Sequence, residues 1–395
     1  MALSPIEASR CVIWGTLATT WMATHFALLG CTPPAVTPPK RAEPTCARTS
    51  LRLDGTSFRE LRLEDVTGDG HGDLAVLQDE GFLVLFAGQG DSTFAAPRKY
   101  SVGPTPRDIA VADINEDGKK DLLVVGHFSN ALTVLLGTGG GDFQEARSYP
   151  LGNHSQKLRL ADFNADGHLD VVTKNAGSGG FFNITVLMGR GDGSFAAAVP
   201  YPTTGLPRDL GIADIDSDGR TDVLVAITNQ NVVDVFRGQA DGTLSAPARL
   251  DLSEDPLHLE LFDVNGDAAA DLLVSHGLAS PGHLSIYLNQ GEGTFGPERR
   301  VGLDSPDAFV SLHLDGDGTP DLAVSTLEGA VLLLKGTGDG SFSPASAPLY
   351  QGNWPTALAV GTLDGDAHPD MAWLTSKGEV EITHDIQSCV VKLPE

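Results

Sequence analysis

The sequence predicts an all-β fold, a seven-bladed β-propeller whose N- and C-terminal strands share the last blade. A nine-residue aspartate-rich pattern occurs seven times, and its successive starts lie 48, 49, 52, 49, 50 and 49 residues apart. Short strand-like runs fill the space between the copies. A constant period of this kind is typical of propellers and solenoid arrays. About 49 residues accommodate four strands of roughly six residues with their turns, which is one blade.

The repeated pattern reads Asp-apolar-Asn/Asp-x-Asp-Gly-x-x-Asp and is followed at once by apolar residues. Carboxylates about 4 Å apart repel by roughly 4 kcal/mol per pair at an effective dielectric of about 20, so a cation is expected among them. Side chains at positions one, three, five and nine supply oxygen ligands, which Ca²⁺ prefers. The glycine at position six permits a left-handed turn around the ion. The alternative is that the aspartates only cap turns by accepting backbone N–H bonds.

We therefore predict a Ca²⁺ site in each copy. The second, third and fourth copies match fully and offer Asp113, Asn115, Asp117, Asp121, Asp162, Asn164, Asp166, Asp170, Asp214, Asp216, Asp218 and Asp222. The first and fifth copies each depart at one position, Thr67 in the first and Ala268 in the fifth, and offer Asp65, Thr67, Asp69, Asp73, Asp263, Asn265, Asp267 and Asp271. The sixth and seventh copies lack the first aspartate and retain Asp315, Asp317, Asp321, Asp364, Asp366 and Asp370. His313 and Thr362 stand in its place, so we expect these two sites to be weak or empty.

Glycine-rich turns alternate with the aspartate loops in a fixed register, among them Leu136–Phe143, Met188–Phe195, Asn289–Phe295 and Lys335–Phe342. Together the two motifs resemble FG-GAP (VCBS-type) repeats, the family of the integrin α-subunit head, and the resemblance covers residues 54–378. It implies a calcium-binding propeller that recognises ligands or mediates adhesion through loops on one face. Proteins, glycans and the cell envelope are the expected ligands.

The repeat count predicts how the ring closes. After the seventh loop only two strand-like runs remain, at 370–374 and 379–383, whereas two runs, at 50–53 and 59–63, precede the first loop. We predict that the N-terminal pair completes the last blade, because shared closure removes open sheet edges.

The first thirty residues differ in composition from the rest. An apolar stretch follows Arg10 and ends in Leu28-Leu29-Gly30-Cys31, which resembles the lipobox of bacterial lipoproteins. The resemblance implies a signal peptide over residues 1–30 and acylation of Cys31, with the outer membrane favoured by Thr32. An uncleaved signal anchor is the alternative.

The remaining chain divides into a proline-rich tether over residues 31–48 and the propeller over residues 49–392. Ring closure would bring Cys46 near Cys389. An exported protein can oxidise such a pair, so we predict a disulfide, with two free thiols as the alternative.

The composition excludes one class of partner. The formal charge is −26, with 26 basic against 52 acidic residues, which argues against nucleic acid. Twenty-two of the 52 acidic residues are loop aspartates, so much of the acidity is metal-ligand charge. The eleven histidines form no catalytic or zinc-binding sequence pattern, and no catalytic residue is assigned. We therefore expect a binding or adhesion module at the cell envelope; a carbohydrate-active enzyme of the lyase type, or a lectin, is the alternative.

Overall fold

A computed structural model describes residues 48–389 of the chain, except 56, 178–179, 277–281, 346 and 367. The predicted signal peptide, Cys31, Cys46 and nearly all of the tether lie outside the described residues.

The strands form seven antiparallel blades, and the first strand, β1 (Arg48–Arg52), belongs to the last of them. The first blade comprises β2 (Phe58–Glu64), β3 (Asp73–Gln78), β4 (Phe82–Phe86) and β5 (Arg98–Ser101). The second comprises β6 (Pro106–Ala112), β7 (Asp121–Gly126), β8 (Ala131–Leu135) and, after the small hairpin β9 (Gly137–Gly139) and β10 (Asp142–Phe143), β11 (Arg147–Pro150). The third comprises β12 (Ser155–Ala161), β13 (Asp170–Ala176), β14 (Phe182–Leu187) and β15 (Val199–Pro202).

The remaining blades repeat this order. The fourth comprises β16 (Pro207–Ala213), β17 (Asp222–Ile227), β18 (Val232–Phe236) and β19 (Ala248–Asp251). The fifth comprises β20 (His258–Phe262), β21 (Asp271–His276), β22 (His283–Tyr287) and β23 (Arg299–Gly302). The sixth comprises β24 (Pro306–Leu312), β25 (Asp321–Thr326), β26 (Ala330–Gly336), β27 (Phe342–Pro344) and β28 (Tyr350–Gln351). The seventh comprises β29 (Pro355–Gly361), β30 (Asp370–Thr375), β31 (Glu379–Thr383) and β1.

The predicted seven-bladed propeller and its shared last blade are confirmed. Strand β1 pairs antiparallel with β31, from Arg48 opposite Thr383 to Arg52 opposite Glu379. The innermost strand β2 contacts β29 on one side and β6 on the other, which closes the ring. The prediction that two N-terminal strands complete the last blade was wrong. Each aspartate loop joins the first and second strands of its own blade, so β2 pairs with β3 and only β1 crosses over.

The core lies between neighbouring blades. Seven hydrophobic clusters each combine side chains of two adjacent sheets, and one of them joins Leu61 of the first blade to Ala372 of the seventh. The apolar residues at position two of the loops are all buried, from Val66 to Leu363. Trp373 is also fully buried. Each such side chain contributes about 1.5–3 kcal/mol, so the clusters hold the blades in register.

Antiparallel strands send their loops alternately to two faces. The aspartate loops and the glycine-rich turns lie on one face, which we call the aspartate face. The hairpins between second and third strands, such as residues 127–130, lie on the opposite face with the connections between blades. We call this the hairpin face.

The chain ends its described part in a short helix, α1 (Ile386–Cys389). Cys389 is buried and disulfide-bonded. Because Cys46 lies outside the described residues, the pairing of these two cysteines stays a prediction. Among the residues that the structure describes, no helix is both long and apolar enough to cross a bilayer.

Candidate functional site

The ninth residue of every aspartate loop is a buried structural anchor. These seven carboxylates are at most 1% exposed: Asp73, Asp121, Asp170, Asp222, Asp271, Asp321 and Asp370. In the third loop, Asp170 Oδ2 accepts a bond from the Phe163 N–H at 2.8 Å, and Oδ1 accepts one from the Gly189 N–H at 2.7 Å. The ninth aspartate therefore joins its loop to the glycine-rich turn of the same blade.

This contact explains why the two motifs alternate in register. The first glycine of the turn lies so close to the loop that a Cβ added to Gly137 would stand 2.2 Å from the Lys120 carbonyl oxygen. Only a residue without a side chain fits there without displacing backbone. The fifth blade has Asn289 instead, and its amide donates to the carbonyls of Ile215 and Ala270.

The first aspartate organises the outer half of the loop. In the second copy, Asp113 accepts bonds from the N–H groups of Asp117 at 3.1 Å and Gly118 at 2.7 Å. Such bonds are those of the turn-capping alternative, and they leave lone pairs on both carboxylate oxygens. Turn capping and cation binding are therefore compatible in one loop.

Two loop positions, not one, adopt left-handed backbone. Position six does so as predicted, and Ala268 takes this conformation with φ 70° where the other described copies have glycine. Position four does so as well, although Glu116, Ala165 and Ser217 occupy it in three copies. A non-glycine residue is disfavoured in this region, so the loop shape is imposed by the surrounding bonds.

In the second and third loops, the neighbouring carboxylates raise the proton affinity of the ninth aspartate. Burial raises the pKa of Asp121, and the neighbouring carboxylates of Asp113 and Asp117 raise it further. The same causes raise the pKa of Asp170. This repulsion is the electrostatic condition that a bound divalent cation would relieve.

A basic side chain that sequence reasoning overlooked distinguishes three of the loops. The residue directly before the glycine-rich turn is apolar in four blades, namely Ala87, Leu136, Met188 and Leu288. In the sixth blade it is Lys335, whose ammonium contacts the carboxylate of Asp315 and lies 3.5 Å from that of Asp317. The seventh blade has no glycine-rich turn, and the equivalent residue is His384, 3.8 Å from Asp370 and directly before Asp385, whose N–H donates to Asp370. An alignment of the seven repeats would have placed these residues at one equivalent position.

The fourth loop has both a basic side chain, Arg237, and a close group of three carboxylates. One carboxylate oxygen each from Asp214, Asp216 and Asp218 lie within 4.8 Å of one another. Asp216 Oδ1 is buried without a hydrogen-bond partner, while Oδ2 lies 3.2 Å from the guanidinium of Arg237. The donor set is entirely oxygen, and the orphaned oxygen fits a hard cation such as Ca²⁺.

Exposed apolar side chains mark the hairpin face. Among the described residues, five large hydrophobic side chains are exposed, and four of them lie at this face: Phe82, Phe128, Phe181 and Trp354. Phe128 and Phe181 are 62% and 79% exposed. They belong to the seventh, first, second and third blades, which are neighbours in the ring.

Two histidines at the hairpin-face ends of their strands are buried. His276 and His283 are 1% and 5% exposed and face each other across the hairpin of β21 and β22. The two rings lie beside Glu298, and the three side chains form a group that no zinc-binding sequence pattern indicated. Six residues separate the histidines in sequence, and the pairing of β21 with β22 brings them together.

Ion pairs line the central channel, a cavity of about 500 Å³. Buried Asp108 binds Arg62 at 2.8 Å, and buried Asp209 contacts His258. Burial disfavours the charged imidazolium, but Asp209 outweighs burial and raises the pKa of His258 to about 9. Burial lowers the pKa of Lys174 to about 8.

Residues 65–124, 113–173, 214–274 and 313–373, together more than half of the chain, match the family described as FG-GAP-like repeat. No curated protein sequence matches the chain.

Several solved structures share the fold. Two crystal structures of BBS1N in complex with ARL6DN, soaked with mercury and with lead, have TM-scores of 0.61 and 0.62 at 15% and 16% identity. They cover 86% and 89% of this chain and 95% and 98% of their own. An Agrocybe aegerita lectin, described as specifically recognising non-reducing terminal N-acetylglucosamine, has a TM-score of 0.56 at 19% identity and covers 87% of each chain. At these identities the similarity shows the fold alone.

Proposed function

Because the chain belongs to the family of FG-GAP-like repeat proteins, we propose that it is an exported calcium-binding propeller that recognises a ligand at the cell envelope. The observation that carries the proposal is that the two faces present different kinds of side chain. Repeated carboxylate loops occupy one face, and exposed aromatic side chains occupy the other. An exposed apolar patch on a stable scaffold is typical of an interaction site.

Calcium is the cation that the aspartate loops fit best. In the complete copies, carboxylate and amide oxygens at positions one, three, five and nine would hold it, as Asp113, Asn115, Asp117 and Asp121 would in the second loop. Bound Ca²⁺ would supply the positive charge that the carboxylates lack, and its binding free energy would stabilise the folded state. The metal role is thus structural.

The loops are not equivalent in this proposal. We expect Ca²⁺ in the first, second, third and fifth loops, where an apolar residue precedes the glycine-rich turn. In the sixth loop the ammonium of Lys335 already lies between two carboxylates, and the loop lacks the first aspartate. The fourth loop is intermediate, because Arg237 contacts Asp216 and Asp222 while a set of three carboxylates remains together.

The hairpin face is the proposed ligand surface. Its exposed aromatic residues extend over four neighbouring blades, a width that suits a protein partner, whose interface buries about 800 Å² per side. Phe128 stacks edge-on with His127 and His154, which leaves its other face to solvent. The similar structures include a propeller in complex with a protein and a lectin, so a glycan is the alternative ligand.

A protein and glycan array probed with calcium-loaded protein tests the proposal. We expect selective capture by identified proteins, and at least tenfold weaker capture by the Phe128→Ser and Phe181→Ser double variant. Val199→Ser is the control, because Val199 is also exposed, at 48%, but begins β15 near the aspartate face. Capture by glycans alone would favour the lectin, turnover of a captured polysaccharide would favour the enzyme, and undiminished capture by the double variant would refute the hairpin face.

Export and anchoring complete the proposal. Cys31, in the lipobox-like sequence, would carry the lipid, and the proline-rich tether would hold the propeller away from the membrane. Labelling of cells with a fatty-acid probe should modify the protein but not its Cys31→Ser variant. Equal labelling of the two would exclude Cys31 as the lipid site.

A further inference from the structure

The fifth blade contains a cluster of imidazole and carboxylate groups, in which two histidines at the hairpin-face ends of β21 and β22 meet a glutamate that directly precedes β23. One ligand atom from each of His276, His283 and Glu298 lies within 4.8 Å of the other two. The two imidazole rings stack with their centroids 4.6 Å apart at an interplanar angle of 22°. We propose that these three residues form a binding site for a transition-metal ion of the Zn²⁺ type.

The two imidazoles are buried and incompletely hydrogen-bonded. His276 and His283 are both more than nine-tenths buried, and the Nε2 atom of each lacks a hydrogen-bond partner. Buried polar atoms are nearly always paired, so two orphaned nitrogens in one cluster require an explanation. A metal ion bound by both nitrogens supplies the missing partner.

Neighbouring groups orient the two histidines. His276 Nδ1 lies 3.1 Å from the Asp255 carbonyl oxygen, so it donates its proton there and leaves Nε2 with a free lone pair. Metal-binding histidines are commonly oriented in this way by a backbone carbonyl. His283 Nε2 lies 3.4 Å from Glu298 Oε1, near the separation of two ligands of one ion.

Neighbouring side chains hold the carboxylate of Glu298 in position. The hydroxyls of Ser253 and Ser285 donate to Glu298 Oε1 at 2.7 and 2.6 Å, and Arg300 lies 3.0 Å from Oε2. These contacts fix the carboxylate beside the two histidines. Two neutral imidazoles and one carboxylate form the ligand set of an open zinc site, in which a fourth position is left to water or a ligand.

The surroundings of the site allow such a fourth ligand. His283 and Arg300 also line a cavity of about 510 Å³ that extends to Thr326 and Glu328 of the sixth blade. A small molecule or water could therefore reach the ion from this cavity. The nitrogen donors select against Ca²⁺, which requires oxygen ligands, so this site and the aspartate loops prefer different metals.

The test is a metal titration of untagged, full-length protein in saturating Ca²⁺, with Co²⁺ as the spectroscopic probe and Zn²⁺ as the competitor. Saturating Ca²⁺ keeps the aspartate loops out of the measurement. We expect one Co²⁺ per chain with the intense visible bands of a low-symmetry nitrogen-ligated site, displaced by one equivalent of Zn²⁺. Because the calcium loops are not read out, the result does not depend on the proposed function.

Variants locate the site. Ser285→Ala should weaken Zn²⁺ binding roughly 10- to 100-fold, as is typical of groups that orient a ligand. His276→Gln and His283→Gln should weaken it further. The matched control is His127→Gln, because His127 and His154 also pair at the hairpin face but bond to each other at 2.9 Å. Circular dichroism and calcium-dependent melting would check the fold of each variant.

Two outcomes would overturn the proposal. One is the absence of stoichiometric Co²⁺ or Zn²⁺ binding by the wild-type protein, a measurement that needs no variant. The other is unchanged affinity in a folded His283→Gln or Glu298→Gln variant, which would place the ion elsewhere.

Discussion

The two faces of the propeller differ in how much of them repeats. On the aspartate face, the ninth aspartate makes the same buried bonds in all seven blades, and the position-two residue beneath it is apolar throughout. On the hairpin face, Phe128, Phe181 and the pair of His276 and His283 each occur in one blade only. The difference indicates that the repeated side provides stability and that specific recognition resides where the blades differ.

Among the tests of this difference between the faces, removal of calcium should have the largest effect on stability. A site held at about a hundredfold above its dissociation constant contributes about 2.7 kcal/mol, so four filled loops would contribute about 11 kcal/mol. We expect EDTA to lower the melting temperature strongly. Asp117→Ala in the second loop should remove part of the calcium-dependent increment, whereas Asp317→Ala in the sixth loop should not. An equal loss at both loops would contradict the role assigned to Lys335.

Substitution of a ninth aspartate should have the next-largest effect on stability. Asp170→Ala leaves two buried N–H groups, of Phe163 and Gly189, without an acceptor, and each costs about 1–3 kcal/mol. We expect the free energy of unfolding in EDTA to fall by about 3 kcal/mol, measured by urea denaturation. Asp166→Ala, at the exposed fifth position of the same loop, is the control and should change it by less than about 1 kcal/mol in EDTA. Equal losses would mean that the ninth position is not the anchor.

A smaller, pH-dependent effect is expected in the channel between the faces. The pKa of His258 is raised by Asp209 to about 9, above its value of about 6.5 in an unfolded chain. The stabilisation from this pair is therefore complete below about pH 6.5 and is lost as the pH rises through about 9. We expect the stability advantage of the wild type over His258→Gln to shrink over this interval in calcium. A constant advantage would show that the imidazolium does not stabilise the folded state.

Much of the fold could be predicted because the pattern repeats. Seven aspartate loops at a nearly constant period predict seven blades, and the apolar residue at position two predicts the buried side of each loop. The assignment of the N-terminal strands failed for a physical reason. Strand-like runs before the first loop look alike in sequence, and only the pairing of β2 with β3 and of β1 with β31 distinguishes them.

The candidate metal sites could be predicted in part. Residue types and spacing indicated oxygen ligands at positions one, three, five and nine. They did not indicate that the ninth carboxylate also anchors the glycine-rich turn, or that Lys335 lies among the carboxylates of the sixth loop. The two contacts join residues fifteen and twenty positions apart, through strands that must first pair.

The sequence by itself determined the repeat, the alternation of apolar and polar residues and the chemistry of the loops, because these depend on residues close together along the chain. The tertiary structure alone decided which strand closes the ring, which loops receive an internal cation, and that His276, His283 and Glu298 meet. These features depend on distances between residues that are remote in sequence, and strand pairing sets those distances.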